Sequence, residues 1–170
     1  QHLFRRRHLD DVAVVHEDND VGQIQSLRHA EELGIAIVPQ ELSFISYFPV
    51  AENIFYGEEP TRPLPLLIDW KKLYTACDEK LKELKIDLPS KMQAGKLNVS
   101  DQQMMVIARV LAKNANIIIM DEPTAGLDVE ARNHILDMLR TYMAEDEERS
   151  ILITSHIASD LEHLCDDIYL

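Results

Sequence analysis

The sequence predicts an α/β domain in which a mostly parallel sheet is flanked by helices. Short continuous apolar runs, which are typical of buried strands, alternate along the chain with helical patterns. The chain has 170 residues, 46% of them hydrophobic and 28% charged, and this composition suits one domain with a real core. Apolar strands that alternate with helices favour parallel pairing in a sheet with both faces covered.

The first third of the chain contains few clear elements. Residues 1–24 show little pattern, apart from a run at 12–15 that is compatible with a short strand, and we leave this segment unplaced. A helical pattern over 25–33 ends at Gly34, a typical C-terminal stop. The apolar run 35–38 follows at once and predicts a buried strand.

Helices are predicted for most of the middle of the chain. Residues 49–56 favour a short helix, and residues 58–65 contain three prolines, which are typical of a loop. An apolar stripe over 69–84 predicts a longer helix, with Asp69 as its N-cap.

The second half alternates helices and strands. Ser100 is predicted to begin a helix that extends to about residue 113, with Gln103 completing a capping box. This helix is apolar on nearly all sides and should therefore be buried. The remaining elements are a strand at 117–120, a helix at 129–143, a strand at 151–154, a helix at 157–164 and the start of a strand at 168–170.

Charge and composition argue against several classes of protein. The 30 acidic residues outnumber the 17 basic ones, and a nucleic-acid binder would need a basic face to neutralise phosphates. Cys77 and Cys165 lie far apart, with no secretory signal before them, which favours reduced thiols in a cytosolic protein. No run approaches the roughly 18 apolar residues that span a bilayer, so we expect membrane association only through a partner.

Two adjacent carboxylates follow the apolar run at 117–120. Asp121 and Glu122 should leave the sheet at the carboxyl edge of the strand, where open α/β sheets bind ligands. In phosphoryl transfer, one such carboxylate can hold Mg²⁺ through its water shell while the next polarises the attacking water. Taken alone, the pattern is more often a buried strand followed by an acidic helix cap.

Three other segments carry candidate chemistry. His156 follows the next apolar strand, and a parallel sheet would bring it to the same edge as Asp121 and Glu122. An imidazole there can contact a γ-phosphate or orient a water, although a lone histidine after a strand is more often a helix cap. Gln40 also follows an apolar strand, and its amide can reach a metal or a water. The helix start at 97–103 is either an anion site or an ordinary cap.

In this order and spacing, the segments resemble the ATP-binding cassette (ABC) ATPases, over about residues 25–170. The run from Asp121 to Asp128 is the most specific part of the resemblance. The matching positions are Gln40 for the Q-loop, 97–101 for the signature motif, 117–121 for Walker B, Glu122 for the catalytic glutamate, 125–128 for the D-loop and His156 for the switch histidine.

The resemblance implies a P-loop NTPase-like fold, with a helical subdomain at about 51–96 and the motif-bearing region at about 97–170. It also implies ATP and Mg²⁺ as cofactors, with ATP held between two cassettes. Glu122 would polarise the attacking water, His156 would contact the γ-phosphate, and Asp121 would hold Mg²⁺ together with Gln40. The implied nucleotide-binding residues are Gln40, Asn98, Val99, Ser100, Asp101 and Asp128, those at 98–101 serving the ATP of the partner cassette.

A narrower resemblance points to the first cassette of monosaccharide importers of the ribose, xylose and galactoside type. It rests on residues 30–42, 51–55, 69–70 and 101–104. It implies a sugar-import ATPase at the cytoplasmic face of a bacterial-type membrane, with a second cassette as homodimer or fused tandem. The implied partners are transmembrane permease subunits and, indirectly, a periplasmic or extracellular sugar-binding protein, but no nucleic acid.

Several departures from the family pattern keep alternatives open. The usual Ser-Gly-Gly of the signature reads Asn-Val-Ser at 98–100, and Asp101 replaces its glutamine. No Gly-x-x-x-x-Gly-Lys-Ser/Thr loop (Walker A) occurs, and the family pattern places that loop roughly forty residues before Gln40. Residues 1–24 do not match the family either, and the last predicted strand stops at Leu170, so we expect a chain truncated at both ends. A divergent start is the other possibility. The alternatives are a cassette remnant that does not bind ATP alone, or a non-transport ABC ATPase.

Overall fold

The computed structural model of the chain describes residues 33–38, 43–62 and 67–166. Three strands are present in this part of the chain, β1 (Ile35–Val38), β2 (Ile117–Asp121) and β3 (Ser150–Thr154). The helices are α1 (Val50–Ile54), α2 (Trp70–Glu83), α3 (Val99–Ala112), α4 (Val129–Ala144) and α5 (Ala158–Leu164), with a short 3-10 turn at Ala94–Lys96 before α3. The predicted strands at 12–15 and 168–170, the helix at 25–33 except its last residue, and Gln40 lie outside the described residues.

The three strands form a parallel sheet in the order β1-β2-β3, so β2 is central. Ile35 pairs with Ile117, and Asp121 at the end of β2 pairs with Thr154 at the end of β3. The predicted parallel sheet is therefore confirmed, and each strand lies within one residue of its predicted bounds. Because the strands are parallel, their carboxyl ends meet at one edge of the sheet.

The chain divides into two compact units. The described part of the first unit comprises 33–38, 114–125 and 136–166, which include the sheet, the second part of α4 and all of α5. Its core contains apolar side chains that are almost fully buried, each contributing roughly 1.5–3 kcal/mol to stability. The largest of these side chains are Val38, Ile118, Met120, Leu139 and Ile153.

The described part of the second unit comprises 43–62, 67–113 and 126–135, and in it α1, α2 and α3 contact one another. Asn53, buried on α1, holds the preceding loop: its amide donates to the carbonyl of Ile45 at 3.0 Å, and its oxygen accepts from the Ile45 N–H at 2.8 Å. Asp69 caps α2 as predicted, because its carboxylate accepts from the Lys72 N–H at 3.2 Å. None of the helices in the described ranges is both long and apolar enough to cross a membrane.

The predicted start of α3 is wrong by two residues. The N-cap is Asn98 rather than Ser100, because the Asn98 side chain accepts from the Asp101 N–H at 2.8 Å. Its amide also donates to the Asp101 carboxylate at 2.9 Å, so Asn98 and Asp101 are joined by two hydrogen bonds, one to the backbone of Asp101 and one to its side chain. Ser100 therefore lies inside the first turn. The predicted burial of this helix is confirmed on most of its sides.

Candidate active site

The end of β2 directs two carboxylates away from the sheet. Asp121 is the last residue of the strand and is exposed. Glu122 has a φ of +50°, a left-handed conformation that breaks the strand. Its N–H donates to the carbonyl of Thr154 at 3.1 Å, and its own carbonyl accepts from the Ala125 N–H at 3.1 Å. The chain thus turns sharply at the carboxyl edge of the sheet, where the two carboxylates were predicted to emerge.

Thr154, at the end of β3, connects both carboxylate residues. Its hydroxyl donates to the carboxylate of Asp121, and the same oxygen lies 3.3 Å from the N–H of Glu122, from which it accepts. The register of the sheet places these groups side by side, because Asp121 and Thr154 are paired residues. One threonine therefore orients the Asp121 side chain and the Glu122 backbone together.

His156 lies against Glu122 at this edge. Its Nδ1 contacts the Glu122 carboxylate. An ionised carboxylate only accepts hydrogen bonds, so Nδ1 is the donor when it contacts that form of Glu122. Nε2 is then an acceptor in a neutral imidazole and a donor in an imidazolium. The His156 side chain is 68% exposed and that of Glu122 21% exposed. The pair is therefore open to an incoming ligand, and the predicted common edge of Asp121, Glu122 and His156 is confirmed.

A second connection between the two strand ends is buried. The Thr124 hydroxyl donates to the Asp160 carboxylate at 2.6 Å, and the two residues are only 1% and 2% exposed. Thr124 belongs to the turn after β2, and Asp160 lies in the first turn of α5. This bond joins the two segments that carry Glu122 and His156.

The signature residues lie at the start of α3, in the second unit. Both polar atoms of the Asn98 side chain are engaged with Asp101, as described above. Val99 is 62% exposed and Ser100 is half-buried. Asp128, also in the second unit, accepts from the Ala131 N–H at 2.8 Å and so caps the start of α4. The structure thus brings together Asp121, Glu122 and His156, while Gln40 lies outside the described residues.

The chemistry of this edge fits a magnesium ion held largely by a nucleotide and water. In the described ranges, no three His, Cys, Asp or Glu side chains converge on a point that a metal could occupy. Mg²⁺ does not need such a cage, because in nucleotide sites it usually takes one or two carboxylates, phosphates and several waters. Asp121 supplies one exposed carboxylate oriented by Thr154, which is compatible with that coordination.

Sequence reasoning gave no role to Thr154, Thr124 or Asp160. Thr154 could have been found from its position, because it is a polar residue at the end of an apolar run, as Asp121 is. Nothing in the local sequence pairs Thr124 with Asp160, because their contact depends on how α5 packs after the sheet has formed.

Known proteins with similar sequences include ATP-binding proteins of sugar import. A sequence model of the ABC transporter family matches residues 8–125. The xylose import ATP-binding protein XylG of Thermoanaerobacter pseudethanolicus is 41% identical over 123 residues, covering 72% of this chain and 24% of that protein. The ribose import ATP-binding protein RbsA of Caldanaerobacter subterraneus subsp. tengcongensis is 39% identical over 144 residues, covering 85% of this chain and 28% of that protein. The chain spans about a quarter of the length of these relatives.

Solved structures agree on the fold. The ATP-binding cassette MJ0796, solved as a dimer bound to ADP and Pi, matches with a TM-score of 0.66 and 21% identity, over 86% of this chain and 61% of that one. The cbiO1 protein of Clostridium perfringens, part of the ABC transporter complex cbiONQ, matches with a TM-score of 0.62 and 24% identity, over 88% and 56%. The predicted fold class is therefore confirmed.

Proposed function

The chain belongs to the ABC transporter family, and from this membership we propose that it is part of the ATP-binding and ATP-hydrolysing subunit of a sugar importer. The observation that carries the proposal is the contact between Glu122 and His156, beside Asp121, at the carboxyl edge of the sheet. The substrate class rests on the relatives named for xylose and ribose import. We therefore expect the transported molecule to be a monosaccharide.

In this proposal, Glu122 accepts a proton from the water that attacks ATP. The carboxylate is partly exposed, so it can reach that water, and its contact with His156 restricts its orientation. In the doubly protonated form of His156, Nδ1 donates to Glu122 while Nε2 donates to the γ-phosphate and stabilises the charge that develops there. Asp121 and Gln40 would hold Mg²⁺, which neutralises phosphate charge when bound.

The proposed assembly pairs this cassette with a second one. Residues 98–101 would contact the ATP bound by the partner, and Asp128 would couple the two sites. Permease subunits in the membrane would hold the pair at the cytoplasmic face, and a periplasmic or extracellular sugar-binding protein would deliver the sugar. The import function that the names of the relatives give supports this arrangement.

Substitution of Glu122 in the full-length protein tests the proposal. We expect Glu122→Gln to lower ATP turnover by about a hundredfold or more, because the general base is lost while the shape is kept. ATP affinity, measured by calorimetry, should change little. Glu147→Gln, in an exposed turn, is the matched control and should leave turnover unchanged. Uptake of radiolabelled xylose and ribose should fall with turnover.

Three outcomes would count against this function or a part of it. Equal turnover by the wild type and Glu122→Gln would remove Glu122 from the proposed role. A full-length protein that binds no ATP would favour the alternative of a non-catalytic cassette. Normal turnover without uptake of any monosaccharide would leave the ATPase in place and reject the substrate class.

A further inference from the structure

The buried bond between Thr124 and Asp160 has no role in the proposed chemistry, yet it joins the two segments that supply the reacting groups. Thr124 lies two residues after Glu122, and Asp160 lies four residues after His156. The hydroxyl-to-carboxylate distance is 2.6 Å, and both residues are almost fully buried. Burying a carboxylate is unfavourable unless it is hydrogen-bonded, so this contact strongly constrains both segments.

Along the two segments, the contact between Glu122 and His156 has hydrogen bonds on either side of it. On the sheet side, Thr154 bonds to Asp121 and to the backbone of Glu122. On the far side, where neither segment is held by strand pairing, Thr124 bonds to Asp160. Glu122 and His156 themselves are partly or largely exposed. The largely exposed imidazole of His156 therefore has little packing to keep it against Glu122.

We propose that Thr124 and Asp160 are positioning residues that hold Glu122 and His156 at the distance needed for ATP hydrolysis. They touch neither ATP nor water in this proposal and act only through the turn after β2 and the start of α5. The inference rests on the proposed function, since it assigns the pair a role in that reaction. Loss of the bond should slow the chemical step while ATP binding persists.

The structure offers a matched control for this idea. The Tyr142 hydroxyl donates to the carbonyl of Ala115 at 2.6 Å, and Tyr142 is only 4% exposed. This bond belongs to the same unit, but Ala115 precedes β2 and so lies at the opposite end of the strand from Glu122. Tyr142→Phe removes a buried hydrogen bond with the same donor-to-acceptor distance as the bond from Thr124 to Asp160. It does not alter the segments that carry Glu122 and His156.

The test compares Thr124→Val, Thr124→Ser and Tyr142→Phe in the full-length protein. For Thr124→Val we expect kcat to fall roughly tenfold to a hundredfold, because small misplacements of reacting groups slow a reaction by such factors. ATP affinity should stay within about twofold of wild type. Thr124→Ser keeps the hydroxyl and should retain kcat within about threefold. Tyr142→Phe should lower the melting temperature and leave kcat unchanged. Unchanged kcat in folded Thr124→Val, or an equal loss in Tyr142→Phe, would overturn the proposal.

If Thr124→Val does not fold, Asp160→Asn replaces it. This variant keeps the shape and one acceptor oxygen but loses the charge that strengthens the hydrogen bond. We then expect kcat to fall by about threefold to tenfold at unchanged ATP affinity, since a charge-assisted bond is roughly twice as strong as a neutral one. Wild-type kcat in folded Asp160→Asn would be the contrary result.

An NMR measurement separates this inference from the proposed function, because it needs no turnover. At one fixed pH, the imidazole chemical shifts of His156 report its contact with Glu122. We expect Thr124→Val to move these shifts toward those of Glu122→Gln, and Tyr142→Phe to leave them in place. Unmoved shifts in Thr124→Val would overturn the positioning role even in an active ATPase. Moved shifts in a protein without ATPase activity would support the positioning contact while the proposed function fails.

Discussion

Glu122 combines a reactive side chain with a backbone conformation that residues other than glycine rarely adopt. Its φ of +50° is held by hydrogen bonds on both sides, from its N–H to Thr154 and from Ala125 to its carbonyl. A residue with a Cβ in this region carries a cost of roughly 1–2 kcal/mol. The site therefore retains local strain at the residue proposed to activate water.

Replacing Glu122 by glycine and by alanine tests this strain. Both variants lose the carboxylate, but only glycine adopts a positive φ without a steric cost, so Glu122→Gly should be about 1 kcal/mol more stable than Glu122→Ala. Urea unfolding of the two proteins measures the difference. At Glu79, exposed inside α2, the order should be reversed, because glycine costs about 1 kcal/mol relative to alanine in a helix. Equal stabilities at position 122 would contradict the argument.

From the raised pKa values of the thiols of Cys77 and Cys165 we expect the folded protein to lose stability at high pH. Burial raises the pKa of Cys77 from 9.0 to about 12 and that of Cys165 to about 11. Above pH 9 the unfolded chain therefore releases these protons while the folded chain keeps them, so stability is full below pH 9 and falls as the pH rises toward 12. Urea midpoints measured across this range should fall less in Cys77→Ala than in wild type. The same decline in both proteins would show that Cys77 does not contribute.

At the scale of elements, the start of α3 gives a direct comparison of two possible caps. Asn98→Ala removes the side chain that accepts from the Asp101 N–H and should lower the free energy of unfolding by about 1 kcal/mol. Ser100→Ala, at the position that the sequence favoured, should cost less than about 0.5 kcal/mol. Urea unfolding distinguishes them, and Asn98→Ser, which keeps a capping oxygen, is the control. A larger loss for Ser100→Ala would place the cap where the sequence pattern put it.

The strands and helices could be predicted well from sequence, because their signals are local. The run 117–120 is apolar, and the carboxylates after it mark the end of the strand without knowledge of the rest of the chain. The cap at Asn98 was missed because Ser100 with Gln103 is an equally good local pattern, and the choice depends on which side chain reaches a free N–H.

Contacts inside the site were predictable only where sheet geometry implies them. Parallel strands must bring His156 to the edge that carries Glu122, so that proximity followed from the order of elements. The bond from Thr124 to Asp160 depends instead on the orientation of a helix after the sheet has formed. No spacing in the sequence encodes that orientation.

At the scale of the whole molecule, the net charge predicts weak interaction with nucleic acid. At a formal charge of −13, the chain repels the closely spaced phosphates of a nucleic acid. For a short labelled DNA duplex at physiological salt, we expect a dissociation constant weaker than about 1 mM, whereas non-specific DNA binders reach roughly 10⁻⁴ to 10⁻⁶ M. Fluorescence anisotropy measures this. Saturable binding in the micromolar range would revive the alternative of a non-transport ATPase that acts on DNA or ribosomes.

The order of strands in the sheet also bears on how the chain folds. β2 pairs with β3 across a short stretch of sequence, from Ile117 to Ser150, but with β1 across a much longer one, from Ile35 to Ile117. The longer loop is roughly two and a half times the shorter, and closing it costs about 0.8 kcal/mol more in chain entropy. We therefore expect β2 and β3 to associate first. β1, the strand that precedes Gln40, then adds to a folding nucleus in which Glu122 and His156 are already in contact.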